Sequence, residues 1–308
     1  VDITEQMVFL AGPTAVGKSE FAVALAEELN AEIIGADAFQ IYAGLGILTA
    51  QPSAELRARV PHHLVNCIPL AESFDVVRYV KAARQTAGEI LARGKVPLVV
   101  GGTGLYFRAL MHALDETPPA DERLRAELMA HSLEKLQAEY QALDPVGAAR
   151  IDFQNPRRLV RAIEVCRLSG RPYSSFRRDW SGGNQNSAGA KFRAVFLDRE
   201  RSVLYARIDQ RVEDMFANGV LDEVTRVPGI SETAAQTLGY RQVKAVLAGE
   251  VAQATAISQI QQATRKYAKR QLTWFRAQPD FRWITLDAAQ STFETVAGIT
   301  AVFFGENR

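Results

Sequence analysis

Apolar residues recur along this chain with two different periods. Four short, mostly apolar stretches, at residues 7–11, 31–36, 96–100 and 192–197, have strand length and are interrupted only by Glu32 and Arg193, a pattern that predicts strands inside a sheet. Longer stretches between them carry apolar residues at helical spacing. Residues 20–29 place Phe21, Leu25 and Leu29 on one face, residues 76–93 run as a helix closed by Gly94, and a later helix carries Leu204, Ile208 and Met215 at positions i, i+4 and i+11. A last long helix spans about residues 254–276. Strands alternating with helices in this way predict an α/β domain with a parallel sheet and helices on both faces.

The pattern changes at Asp115. A proline break and a long charged helical stretch precede a second helix at residues 156–169, whose core face is Leu159, Ile163 and Cys166, with Arg157 and Arg161 on the opposite side. Residues 181–190, SGGNQNSAGA, read as a flexible polar link. The predicted organisation is a catalytic domain in two parts, residues 1–114 and 190–308, interrupted by an inserted α-helical domain at residues 115–189.

Composition narrows the function classes. With 308 residues, 47% hydrophobic and 23% charged, the chain can bury a large core. Its net charge is only +1, so an acidic partner must be met by a local patch. Such a patch exists: eight arginines stand between Arg150 and Arg178 against Asp152 and Glu164 alone, and arginine suits phosphodiesters. Cys67 and Cys166 lie far apart without C-x-x-C spacing, which argues against a zinc site or a disulfide framework and makes a cytoplasmic setting the expectation. No basic n-region with a long apolar h-region opens the sequence, and no run approaches about 18 apolar residues. Neither an export signal nor a membrane partner is expected.

The first strand leads into Gly12, Pro13, Thr14, Ala15, Val16, Gly17, Lys18 and Ser19, which fit G-x-x-x-x-G-K-[ST]. Strand, loop and helix in that order make a P-loop NTPase-like phosphate cradle, with backbone N–H groups turned inward and the positive end of a helix behind them. Lys18 is placed to reach the outer phosphate, and the Ser19 hydroxyl to bind magnesium. Asp37 ends the second apolar run, and strand ends in open α/β sheets face the ligand; a cap on the next loop is the other reading of that carboxylate. The third run ends in Gly101, Gly102, Thr103 and Gly104. Many nucleotide-hydrolysing P-loop enzymes carry a magnesium-binding aspartate there, so chemistry other than hydrolysis or ordinary phosphoryl transfer gains weight. Arg211 falls on the apolar face of its helix, where it is expected to point inward at bound phosphate. His62 and His63 have no acidic or cysteine partner at ligand spacing and read as packing or loop residues. On the last helix Arg265, Lys266, Lys269, Arg270 and Arg276 interleave with Tyr267, Trp274 and Phe275, which suits nucleic acid, although the aromatics alone would suit a core.

The segments GPTAVGKS, DAFQIY, TAQP, PHHL, GGTGLYFRAL, NPRRLVRAIEV and TRKYAKRQLTWFR, in that order, resemble the tRNA dimethylallyltransferase family over residues 8–281. The resemblance implies transfer of a dimethylallyl group from dimethylallyl diphosphate to the exocyclic N6 of the adenosine on the 3′ side of the anticodon in tRNA. It implies that Asp37 is the general base, that Thr103 orients either the base or the leaving oxygen, and that the loop, Arg211 and magnesium stabilise the departing diphosphate. By the same resemblance the anticodon stem-loop touches Asp37, Ala38, Phe39, Gln40, Thr103, Arg125, Arg157, Arg158, Leu159, Val160, Arg161, Gln236, Thr237, Leu238, Gly239, Tyr240 and Arg241. The target base has to leave its stack to reach the cradle, with Gln40 placed to read it and the insert expected to close over the RNA.

Three positions depart from the family pattern: Ala38 where serine is usual, Gln51 for a frequent lysine, and Pro156 after Asn155 where an aspartate is common. A monomer is expected. Three alternatives stay open. The arginine-rich insert argues against an adenylate isopentenyltransferase acting on free nucleotides, and the glycine-ended strand argues against a P-loop small-molecule kinase. A nucleic-acid-binding protein without catalysis would leave Asp37 and Thr103 with no task.

Overall fold

The computed structural model describes residues 2–112, 117–176, 192–287 and 291–304; the link at residues 181–190 lies outside them. The chain divides into two compact units, Val1–His112 with Gly189–Arg308, and Ala113–Ala188.

The first unit is built on six strands: β1 (Val8–Ala11), β2 (Ala31–Ala36), β3 (His62–His63), β4 (Val96–Gly101), β5 (Arg193–Arg199) and β6 (Arg282–Leu286). They form one sheet in the order β3-β2-β4-β1-β5-β6, parallel at every pair. Five helices come before the second unit: α1 (Lys18–Glu28), α2 (Gly46–Thr49), α3 (Ala54–Arg59), α4 (Val76–Ala92) and α5 (Gly104–Met111). The second unit holds α6 (Glu122–Met129), α7 (Leu133–Leu143), α8 (Pro145–Ala148) and α9 (Pro156–Ser169). The chain then returns through α10 (Arg201–Ala217), α11 (Val220–Thr225), α12 (Tyr240–Leu247), α13 (Gln253–Arg276) and α14 (Thr292–Phe304). Among the described residues no helix is long and apolar enough to cross a membrane.

Successive residues of a strand face opposite sides of the sheet, and both sides are covered. Val8 and Leu10 of β1 pack with Phe21 and Leu25 of α1 and with Ile299 and Phe303 of α14. Phe9 and Ala11 belong to the opposite cluster, with Tyr79 of α4, Phe107 of α5 and Phe275 of α13. The edge strands β3 and β6 were not visible as apolar runs. β6 leaves four of its five residues at least partly exposed, so burial on one face only breaks the pattern.

Register positions the site. Ala11, Gly101 and Ala36 lie side by side across β1, β4 and β2, and Ala11 also pairs with Phe196 of β5. The segments leaving these strands, from Gly12, Gly102 and Asp37, therefore emerge together on one edge of the sheet. The glycines after β4 let α13 approach that edge. A Cβ on Gly102 would lie 2.3 Å from Nε2 of Gln271, and one on Gly104 2.3 Å from the Trp274 ring. Gly104→Ala is expected to lower the unfolding free energy by about 1–3 kcal/mol in urea denaturation, because a ring fixed in a helix has little room to move. With Phe275 fully buried and Trp274 against Gly104, two of the aromatics interleaved with basic residues serve packing.

The second unit has its own core, formed by Leu128, Leu136, Tyr140, Leu159, Ile163 and Cys166. Helix α9 begins with Asn155 capping Arg158 N and Pro156 in its first turn, so the Asn-Pro departure from the family pattern still makes a helix start.

Candidate active site

The loop between β1 and α1 turns through the left-handed region at Ala15, with φ of 63°, and at Gly17, with φ of 104°. Four cationic side chains hold it by its own oxygens. Lys18 Nζ donates to the Pro13 carbonyl at 2.8 Å, Arg207 Nε to the Ala15 carbonyl at 2.9 Å, and Arg199 to the Val16 carbonyl at 3.4 Å. Arg211 donates to Thr14 Oγ1 at 2.9 Å and to the Thr49 carbonyl at 3.1 Å. Burial pulls the Lys18 pKa down to about 8, with Asp37 opposing and Arg211 assisting. Burial also lowers the Arg211 pKa, against the pull of Asp37. Crowded, partly desolvated cations of this kind favour an anion that would pair with them.

Asp37 leaves β2 directly into the site. Its Oδ1 accepts from Phe39 N at 2.9 Å and Gln40 N at 3.3 Å, so the carboxylate does cap the next turn, with one oxygen only. Thr103, the residue before α5, accepts from Ala38 N at 3.0 Å through Oγ1, which ties the β4 loop to the β2 loop. That bond uses the backbone of Ala38, so the serine hydroxyl usual at this position is not needed for it. Gln40 spends both amide hydrogens on carbonyls, Thr49 at 3.1 Å and Ala50 at 2.9 Å. Only its carbonyl oxygen is left to meet a base. Gln51 in turn donates to the Gln40 and Tyr42 carbonyls at 2.9 and 2.8 Å.

A pocket of about 260 Å³ is lined by Lys18, Ser19, Asp37, Gln40, Arg207 and Arg211, among others. An apolar recess lined by Leu48, Val212, Met215, Leu238 and Ile260 shares Thr14, Asp37, Thr49 and Arg211 with it. The cavity thus has a cationic end and an apolar end, and Asp37 stands where they meet.

The sequence-predicted residues fall into several groups. Thr14, Ala15, Gly17, Lys18, Ser19, Asp37, Gln40 and Arg211 line the pocket, and Phe39, Thr237 and Leu238 line the recess. Gly12, Pro13 and Val16 are buried and shape the loop, and Val16 belongs to the core. Near the recess, Gly239 takes φ of 93° at the start of α12, Gln236 bonds to the Glu232 carbonyl, and Arg241 is exposed. Ala38 and Thr103 are joined by the hydrogen bond described above and Tyr240 opens α12, while the other residues belong to the second unit, where Arg157 and Arg158 are exposed. Leu159 and Val160 are core residues there, so their side chains are turned from solvent. Arg125 and Arg161 are ion-paired with the fully buried Glu164, which also accepts from Asp121 N at 2.8 Å. Arg161 further donates to Thr117 Oγ1 and the Pro118 carbonyl. A buried carboxylate needs such partners, so part of the arginine run is structural.

His62 bonds to the Val60 carbonyl and His63 to Glu32, and among the described residues no group of three or more His, Cys, Asp or Glu is placed to hold a metal.

Two site residues escaped the sequence reading, and a third, Tyr267, was read only as an aromatic among the basic residues of the last helix. Arg207 sits one turn before Arg211, and that i, i+4 spacing was a usable signal. Gln271 accepts from Thr14 N at 2.9 Å and donates to the Gly102 carbonyl at 2.8 Å, bridging the phosphate loop and the end of β4. Tyr267, one turn earlier on α13, lines the recess with Asp37.

A family model described as IPP transferase matches residues 40–278, and one described as isopentenyl transferase matches residues 5–60. A tRNA dimethylallyltransferase of Syntrophobacter fumaroxidans is 41% identical over 295 residues, covering 92% of this chain and 84% of that protein. One from Halorhodospira halophila is 41% identical over 294 residues, covering 92% and 94%. Among solved structures, the tRNA isopentenylpyrophosphate transferase of Bacillus halodurans is similar at a TM-score of 0.70 and 36% identity over 97% of both chains.

Proposed function

The chain belongs to the IPP transferase family, whose relatives named above are tRNA dimethylallyltransferases, and on that footing we propose how its residues carry the reaction. It transfers a dimethylallyl group from dimethylallyl diphosphate to N6 of the adenosine 3′ to the anticodon, with the anticodon stem-loop of tRNA as the substrate element. The observation that carries this reading is the two-ended cavity. A cationic cradle suits a diphosphate, the adjoining recess suits a five-carbon apolar tail, and Asp37 lies at the junction where the bond between them would break.

The backbone N–H groups of the loop, Lys18 and Arg211 bind the diphosphate. As the allylic C–O bond breaks, its electron pair moves to the diphosphate oxygen, and these groups stabilise the growing charge. N6 of a flipped adenine forms the new C–N bond and loses a proton. Asp37 Oδ1 is already committed to two backbone N–H groups, so Oδ2 is the oxygen that takes that proton. The Ser19 hydroxyl, in the first turn of α1 on the wall of the pocket that Lys18 and Arg211 also line, is a hard oxygen donor of the kind a magnesium ion takes. A bound magnesium ion would be held by Ser19 and diphosphate oxygens and would supply further charge neutralisation. Arg157 and Arg158 hold RNA phosphates; removing either is expected to weaken stem-loop binding and to reduce the salt slope by about 1, read by titration at several salt concentrations.

The Lys18 pKa sets a pH dependence for donor binding. A diphosphate binds the ammonium form, so its affinity relative to that of Lys18→Arg, which cancels the ligand's own ionisation, is expected to be level below about pH 8 and to fall up to about tenfold per unit above it, as free enzyme loses the proton. Titration calorimetry with inorganic diphosphate from pH 6 to pH 10 measures this, and Lys18→Arg should move the decline out of that range. The reaction itself is tested by incubating stem-loop RNA with enzyme, donor and magnesium, digesting it to nucleosides and identifying them by mass spectrometry. N6-dimethylallyladenosine at the position 3′ to the anticodon is the expected product; unmodified RNA would refute the reading.

A further inference from the structure

Glu223 is a carboxylate on α11 that the mechanism above leaves without a task. It borders a separate cavity of about 930 Å³, together with Gly44, Ile47, Asp222 and Arg226, and not the pocket and recess of the reacting groups. Its Oε1 accepts from Ile47 N and its Oε2 from Leu48 N, each at 2.8 Å. These N–H groups belong to the first turn of α2 and have no partner within that helix. Leu45, the residue before α2, makes no side-chain cap. The cap of α2 is therefore a carboxylate 176 residues further along the chain.

The other end of α2 meets the active site. The Thr49 and Ala50 carbonyls accept from Gln40 Nε2 at 3.1 and 2.9 Å. Ala50 takes φ of 47°, a left-handed conformation that a residue with a Cβ keeps only where its surroundings fix it. Two carbonyl partners leave one assignment of the Gln40 amide: both N–H donors are spent, and the oxygen is what a ligand can meet. Gln40 lines the pocket beside Asp37, whose Oδ1 accepts from Gln40 N at 3.3 Å. The Gln40 carbonyl is held separately, by Gln51 Nε2 and Asn66 N, each at 2.9 Å. Only the side-chain amide depends on α2, and with α2 released it could rotate and offer its NH2 group instead.

We propose that Glu223 is a positioning residue that caps α2 from α11 and so locks the Gln40 amide as a hydrogen-bond acceptor, which makes the site select a base with an amino group at position 6 over one with a carbonyl there. The proposal rests on the reaction assigned above. N6 of adenine carries two protons: Asp37 takes one as the C–N bond forms, and the other donates to the Gln40 oxygen. A carbonyl at position 6 would set acceptor against acceptor and leave both without a partner. Arg211 also donates to the Thr49 carbonyl but keeps its bond to Thr14 Oγ1 without it, so the larger consequence of freeing α2 falls on Gln40.

The test compares the binding of two stem-loop RNAs to the full-length protein without donor, so that no transfer occurs. One carries adenosine at the target position, the other inosine, which has a carbonyl in place of the 6-amino group. The wild type should bind the adenosine RNA about tenfold more tightly, the size of one neutral hydrogen bond lost and opposed. Glu223→Ala should bring that ratio to within about twofold of unity. Glu223→Gln keeps the side-chain volume but turns an NH2 group toward one of the two N–H donors, and its ratio should lie between, which carries the test if the alanine variant fails to fold. Asp222→Ala, on the same cavity wall, should leave the ratio unchanged, and on a Gln40→Ala background Glu223→Ala should alter it by less than about twofold. A carboxylate that only stabilised the fold would weaken both RNAs alike. A wild-type ratio retained by Glu223→Ala or Glu223→Gln, or a wild type that binds the two RNAs equally, therefore overturns the assignment. Transfer to the adenosine RNA by the wild type is measured in parallel: its absence overturns the underlying reaction, whereas normal transfer with an unmoved ratio overturns the role of Glu223 alone.

Discussion

Asp37→Asn is expected to lower kcat for dimethylallyl transfer by about 10²–10⁴-fold, the range a positioned general base supplies. Asparagine is the informative replacement because one side-chain oxygen remains. The Asp37 carboxylate has two separable tasks, Oδ1 accepting from Phe39 N and Gln40 N and Oδ2 taking the N6 proton. An asparagine oxygen can keep the turn, while the amide cannot accept the proton. The loop, the donor affinity and the RNA affinity should therefore survive and kcat alone should collapse. A carboxylate that served only as a cap would give the reverse result, with Asp37→Asn near wild type and Asp37→Ala losing about 1 kcal/mol of stability. Steady-state kinetics of both variants beside their thermal melts separate the two.

Arg211→Ala carries the second large effect, a loss of about 10²–10³-fold in kcat. This side chain spans Thr14 Oγ1 of the phosphate loop and the Thr49 carbonyl of α2, so it both fixes the cradle and presents charge to the departing diphosphate. Because that charge grows as the C–O bond breaks, the loss should fall more on kcat than on donor affinity. Arg211→Lys keeps the charge but not the planar fork that reaches two oxygens at once, and its activity should lie between the two. Equal losses in kcat and in donor affinity would make Arg211 a ground-state binder only.

Which parts of this site could be read from the sequence follows from where each residue is buried. Strands β1, β2, β4 and β5 lie inside the sheet and show as mostly apolar stretches, so the phosphate loop, Asp37 and Thr103 could be placed at strand ends. Their convergence then depends on register alone, with Ala11, Gly101 and Ala36 abreast. β3 and β6 are edges with partly exposed residues and left no such trace. Arg211 was readable because a charged residue on an apolar helix face needs a reason. Glu164 had the same kind of signal, being fully buried on α9, but within a run of arginines it read as a minority charge in a solvated patch. Its ion pairs with Arg125 and Arg161 turn part of that run into internal structure. Gln271 and Tyr267 were hidden for another reason. Gln271 stands among the basic and aromatic residues of α13 and Tyr267 is one of those aromatics, and only the close approach allowed by Gly102 and Gly104 brings that helix face to the phosphate loop.

The central claim, prenyl transfer to tRNA from a diphosphate held in the phosphate loop, is tested most directly by competition. Labelled dimethylallyl diphosphate and magnesium are offered to the enzyme with unmodified anticodon stem-loop RNA, AMP and ATP together, and the label is followed into each acceptor. The account predicts label in the RNA, on the adenosine 3′ to the anticodon, with none in AMP or ATP, and its disappearance with Asp37→Asn. Label in AMP or ATP with none in RNA would contradict it and make the protein a nucleotide prenyltransferase.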